Sequence, residues 1–175
     1  MEKADQTGDV QAKLAAQLRQ AMRRLPGPVS IVATHDNELN EPAGMAASAV
    51  IPVSMDPPSM LIAVNRESRC HAAIEGQGRF CINLLGTDQT ALVEPFSNFA
   101  KRNQRFSMTE WEYADSIPYL PAAMANLFCE VRTTLIHGTH EMFVGNVYDV
   151  RSRDDDGLDP LGWMEGSFAR FGLID

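Results

Sequence analysis

Apolar residues Leu14, Leu18, Met22 and Leu25 recur at spacings that put them on one face of a helix. Pro26-Gly27-Pro28 stops that helix, because proline cannot continue its hydrogen-bond ladder. Residues 1–10 are polar and predicted to form a flexible tail, leaving residues 11–175 as one domain. The pattern then shortens to that of strands. Residues 29–34 are rich in β-branched side chains, and the polar run from Asp36 to Asn40 makes a turn into a second strand. Residues 59–64 are nearly all apolar, as in a strand buried on both faces. Ser68 is a helix N-cap, with two turns predicted over 69–75 and a stop at Gly76. Residues 79–84 alternate Phe80, Ile82 and Leu84 against Cys81 and Asn83, which is a strand; 87–96 is a helix capped by Thr87.

Residues 99–121 are irregular. Leu127, Cys129, Val131, Thr133 and Leu135 alternate along a long strand, His137-Gly138-Thr139-His140 turns the chain, and 141–151 returns. An acidic loop at 154–159 leads to a short final strand over 160–171. Strands joined by turns dominate, so the predicted fold is mainly β, an antiparallel barrel with peripheral helices, and not an alternating βαβ sheet.

Within this pattern the stretch from Gly44 to Pro58 is unusual. Gly44, Ala46, Ala47, Ser48 and Ala49 leave the backbone bare, and Pro57-Pro58 ends the run in a fixed loop. Two readings fit: a strand packed against something bulky, or a surface on which another molecule lies close to the N–H groups.

Composition narrows the classes. The chain has 175 residues, 45% hydrophobic and 22% charged, as expected of one soluble globular domain. A formal charge of −8 speaks against sequence-independent nucleic-acid binding, which needs a cationic surface. Cys70, Cys81 and Cys129 are odd in number and widely spaced, so they read as reduced thiols of a cytoplasmic protein. No apolar run of membrane-spanning length occurs.

Common catalytic layouts are missing from the sequence: no GxGxxG, Walker lysine loop, GxSxG or HExxH. His137 and His140 span a turn that rarely converges two rings, so no metal site is expected. What remains is a ligand site of backbone and small polar groups. Asn65-Arg66-Glu67-Ser68-Arg69 leads into a helix start, where free N–H groups attract phosphate and Arg66 and Arg69 add charge; a solvated turn with an ordinary cap is the alternative.

Six short motifs stand in one order: Gly44-Met45-Ala46-Ala47-Ser48, Val53 to Pro58, Asn65 to Ser68, Phe80 to Leu85, Arg105-Phe106, and His140 followed by Val144 to Val147. Together they resemble the flavin reductase-like family, the NAD(P)H:flavin oxidoreductases that supply reduced flavin to two-component monooxygenases. The resemblance implies an FMN-binding split barrel of Greek-key type, a homodimer, and FMN or FAD reduced by NADH or NADPH for a separate oxygenase. It places Met45, Ala46, Ala47 and Ser48 against the flavin ring and Asp56 and Pro57 in the loop beside it. Asn65, Arg66, Ser68, Arg69 and Cys70 would hold ribityl and phosphate, and His140 would position the nicotinamide. Two positions depart from the family pattern: Ala46, where threonine is frequent, and Thr139, where aspartate is usual. The absence of an acid, base or nucleophile then follows, because the cofactor carries the chemistry. A flavin-binding electron carrier without NAD(P)H oxidation is the alternative on the same barrel.

Overall fold

The computed structural model describes the backbone of residues 2–153 and 159–173, with side chains from residue 9 onward. Helix α1 (Glu2–Met22) precedes the strands β1 (Gly27–Pro28), β2 (Ser30–Asp36), β3 (Glu41–Ala47), β4 (Val50–Met55) and β5 (Pro58–Asn65). Then come α2 (Arg69–Gln77), β6 (Arg79–Leu84), α3 (Thr90–Ser97), β7 (Glu112–Ala114), β8 (Ile117–Tyr119), β9 (Ala125–His137), β10 (His140–Ser152), β11 (Leu161–Met164) and β12 (Ser167–Arg170). Seven strands form one antiparallel sheet in the order β3-β2-β6-β9-β10-β5-β4, beside a small sheet β1-β11-β12 and the hairpin β7-β8. The fold is mainly β, a split barrel whose large sheet curls without closing on itself.

Several boundaries differ from the sequence expectation, each for a local reason. α1 begins at Glu2 and takes in the segment read as a loose tail. The stretch 44–58 is two strands, broken at Ser48-Ala49, and not one. α2 runs through Gly76 and ends at Gly78, whose φ of 70° supplies the left-handed cap. Thr87 opens a 3-10 turn (Thr87–Gln89) and α3 starts only at Thr90. The irregular 99–121 region contains the hairpin β7-β8, and the final strand is a hairpin turned at Glu165 and Gly166, with φ of 54° and 79°. Most of the predicted acidic loop lies outside the described residues.

The core lies on both faces of the central strands. Val32, Ile62, Val64, Phe80, Ile82, Cys129 and Phe143 fill the barrel side. Ile31, Leu85, Val93, Phe96, Leu120 and Leu161 fill the side beneath α3. β2 therefore sends Ile31 one way and Val32 the other, as a strand buried on both faces must. Tight packing also explains Gly145 on β10: a Cβ there would sit 2.9 Å from the Cys129 Cβ and 3.0 Å from the Phe80 ring.

One polar cluster crosses the core. The Asn83 side chain donates to the Ile31 carbonyl at 2.8 Å and accepts from the Leu120 N–H at 2.7 Å and the Asn126 amide at 2.9 Å. Asn126 in turn donates to the Leu120 carbonyl at 3.0 Å. By contrast, α1 touches the rest through its end, where Arg23 and Glu165 exchange backbone and side-chain bonds of 2.7 Å. Its apolar residues Leu14, Leu18 and Met22 are exposed.

Candidate functional site

β3 is the terminal strand of the large sheet, so one of its edges faces no other strand. Which residues point there follows from antiparallel alternation. The Leu85 N–H donates to the Val29 carbonyl at 3.2 Å, so the odd-numbered residues of this part of the chain bond toward β6. The even ones, Ser30, Val32 and Thr34, then bond to their partners Ala47, Met45 and Ala43. Gly44, Ala46 and Ser48 are left with N–H and C=O groups aimed away from the sheet. The Arg105 Nη1 donates to the Gly44 carbonyl at 2.9 Å, which fits that direction.

Side chains alternate in the same way. Met45 and Ala47 pack into the barrel core, whereas Ala46 packs on the cluster beneath α3. A Cβ on Gly44 would also meet that side, 3.0 Å from Phe96 and 3.2 Å from Phe106. Thus the edge above α3 is the bare one, and it is bare because every second residue there is Gly, Ala or Ser.

Two clefts run along this edge and meet at Ser97. A smaller one, about 260 Å³, lies over Ala46, Ala47 and Ser48 and is walled by Val93 and Trp163. The larger, about 670 Å³, runs from Gly44 and Met45 past Ser68 and Cys70 to Phe99 and Arg102. The structure therefore brings the bare strand and the start of α2 into one groove. The aromatic ring cluster of Phe96, Phe106 and Trp111, with centroids 4.9 to 5.7 Å apart, makes its wall rigid.

At the start of α2 several of the predicted phosphate residues are already engaged. The Asn65 side chain accepts from the Glu67 N–H at 2.9 Å, and the Ser68 hydroxyl accepts from the His71 N–H at 3.2 Å. The Arg66 N–H donates to the Thr139 carbonyl at 3.0 Å. These bonds fix the turn and leave the first N–H groups of the helix, at Arg69 and Cys70, without an intrahelical partner. Arg69 is not free for an anion, since it pairs with Asp36 at 3.2 Å and with Glu41. Cys70 is buried, and burial pushes its thiol up to about 12, so it is inert as a nucleophile. Arg105 also donates to the Pro95 carbonyl at 2.8 Å, and burial lowers its pKa.

Other predicted residues lie apart. Asp56 and Pro57 form the exposed, cis-linked tip of the β4-β5 hairpin. The eight-residue β5 separates them from Asn65, a span of about 23 Å. His140 is exposed beside Asn65 across the β5-β10 pairing, its Nδ1 2.9 Å from the Thr139 hydroxyl, and lines neither cleft. Residues that sequence reasoning did not bring to the site are Val93, Ser97, Phe99, Arg102 and Trp163. They come from α3, the 3-10 turn after it and the β11-β12 hairpin, whose placement depends on tertiary packing alone.

Behind the α2 turn, the His71 Nε2 lies 2.7 Å from the Glu141 carboxylate, both side chains being nearly buried. Hydrogen bonds from Thr134 and then His71 hold the Glu141 carboxyl below its ordinary range. A carboxylate with a depressed folded pKa contributes stability above its unfolded pKa, about 4.3, and that contribution is lost as pH falls through the folded value. Glu141→Gln is therefore expected to lower the urea midpoint at pH 7, with the gap to the parent closing as pH falls below 4. A gap that persists unchanged at pH 3 would show that the carboxylate charge does not matter.

The edge and clefts suit a flat heterocycle with a polar rim and an anionic tail: bare N–H groups at Ala46 and Ser48, close apolar walls, and free helix N–H groups further on. Such a site on a mainly β split barrel defines a class of flavin-binding proteins. The comparisons make the assignment: residues 22–172 match the flavin reductase like domain, and the chain belongs to that family. It is 35% identical over 130 residues to the reductase component of the FADH(2)-dependent resorcinol hydroxylase of Rhizobium sp. (strain MTP-10005), covering 74% of this chain and 73% of that protein. It is 31% identical over 152 residues to the NADH:riboflavin 5'-phosphate oxidoreductase of Streptomyces pristinaespiralis, covering 86% and 84%. Among solved structures, the NADH:FAD oxidoreductase SgcE6 of Streptomyces globisporus C-1027, in complex with NAD and FAD fragments, is similar at a TM-score of 0.82 and 25% identity, covering 91% and 94%.

Proposed function

We propose that this protein is a NAD(P)H:flavin oxidoreductase that reduces FMN or FAD and delivers it to a separate oxygenase. The observation that carries the reading is the open edge of β3, where Ala46 and Ser48 present unpaired backbone groups over a cleft of ring dimensions. Flavin bound there would supply the hydride acceptor for NAD(P)H, with the accompanying proton drawn from solvent, and the protein's part would be to hold and orient it. Ala46 and Ser48 hold the polar edge of the ring, and N–H donors aimed at that edge stabilise negative charge that develops on reduction. Gly44 and Met45 line the path of the ribityl chain. Ser68 and Asn65 fix the α2 turn so that the N–H groups of Arg69 and Cys70 meet the phosphate. The relatives' names, which include a reductase component, support the delivery of reduced flavin to an oxygenase.

A cytoplasmic homodimer is part of the same proposal. Ile51, Val53 and Met55 of β4, with Leu135 and Ile136 of β9, are exposed apolar side chains that a second copy would cover. The Asp56-Pro57 tip, too far from its own chain's groove, would then lie at the partner's ring, and His140 would position the nicotinamide.

The test is oxidation of NADH or NADPH by purified protein with excess FMN under anaerobic conditions, followed at the nicotinamide band. A rate well above the protein-free control is expected with at least one nucleotide. Flavin binding without any such rate would assign the electron-carrier role instead.

A further inference from the structure

We infer that the outer end of the larger cleft is a subsite for an adenosine 5′-phosphate group, the AMP half of a dinucleotide. The inference rests on reading the β3 edge as the flavin ring site. A ligand with its ring over Ala46 and Ser48 and its phosphate at the start of α2 lies along the larger cleft, past Gly44, and that cleft opens at the 3-10 turn Phe99–Gln104. There Phe99 is 73% exposed, and the Arg102 guanidinium lies 4.5 Å from its ring centroid. The spacing of three in a 3-10 turn accounts for the two side chains meeting. It does not account for the charge. Arg69 pairs with Asp36 and Lys101 with Glu94, yet among the described residues Arg102 has no carboxylate partner.

An exposed aromatic ring and an unpaired guanidinium, side by side at a cleft mouth, match two parts of one ligand. Purines stack on aromatic and guanidinium planes, and a guanidinium donates in a fork to phosphate oxygens. Neither feature serves the ring site itself, which ends some way inside the cleft. The AMP half belongs to FAD or to the nicotinamide dinucleotide, and both carry the same chemistry.

The experiment compares the parent with Phe99→Ala and Arg102→Ala. Affinities for FMN and FAD are measured by quenching of flavin fluorescence, and Michaelis constants for NADH and reduced nicotinamide mononucleotide with FMN as acceptor. The parent is expected to prefer one dinucleotide over its mononucleotide by about tenfold, the size of one base stacked on an aromatic, and both variants to shrink that preference. A shrinking FAD-to-FMN ratio assigns the subsite to the flavin, and a shrinking NADH-to-mononucleotide ratio assigns it to the reductant. Ratios unchanged in both variants overturn the subsite while leaving the ring site standing. A parent that quenches neither flavin overturns the ring site, and the subsite falls with it.

Discussion

Asn83→Ala is expected to destabilise the protein by about 3 kcal/mol and to lower its melting temperature by about 6–12 °C. The Asn83 carbonyl oxygen is the acceptor for the Leu120 N–H and for the Asn126 amide, and all three residues are buried. Truncation leaves the Leu120 N–H orphaned, and an unpaired buried donor loses about 1–3 kcal/mol. The void left by the amide adds to that. Asn126→Ala should cost less, because each acceptor that loses the Asn126 amide keeps another donor: Asn83 still accepts from the Leu120 N–H, and the Leu120 carbonyl from the Ala123 N–H at 2.9 Å. Thermal unfolding of the two variants side by side checks the ordering. Equal losses would mean that Asn83 is not the hub of the cluster.

Asn83 also shows where sequence reading stops. Its strand is legible from the alternation of Phe80, Ile82 and Leu84, and it sits in a motif that carries the family resemblance. Its partners are not legible, since Ile31, Leu120 and Asn126 lie 52, 37 and 43 residues away in the chain. The same division runs through the whole fold. Period-2 patterning marks the long strands, but short strands such as β7 and β8 have too few positions to show a period. Positive φ at Asp115 and Ser116 turns that hairpin without a glycine to signal it.

At the site the small residues of β3 are visible as composition, whereas the direction of each depends on which neighbour β2 bonds. Read as a run, Ala46 and Ala47 look equivalent. Pairing with β2 separates them. Arg69 shows the opposite failure: a cation beside a helix start reads as a phosphate ligand, yet Asp36 and Glu41 come from the β2-β3 hairpin to neutralise it. The Asp36 carboxylate is held in place by the Leu39 and Glu38 N–H groups, both at 3.1 Å; the Leu39 bond, then Arg69 and then the Glu38 bond, keep its pKa low.

The separation of Ala46 from Ala47 makes the sharpest expectation about function. Ala46→Val places two methyl groups in the smaller cleft beside the open edge, where Ala46 is only half-buried, and should weaken flavin binding by about tenfold or more while lowering the melting temperature less than the same change at Ala47. Ala47→Val places the same methyl groups in the barrel core among Val32, Val50 and Ile62. Overpacking there costs about 1–3 kcal/mol, so the protein should melt lower while the folded fraction keeps much of its flavin affinity. Fluorescence titration with FMN and a thermal melt on each variant give the comparison. If Ala47→Val were the one that loses flavin at an unchanged melting temperature, the alternation along β3 would be reversed and the ring would lie on the other face. Ala46→Thr adds a hydroxyl beside the edge with nearly the volume of valine. Recovery of affinity over Ala46→Val would show that the edge accepts bulk when it brings a hydrogen bond to the ring, and that Ala46 sets how tightly this chain grips its flavin.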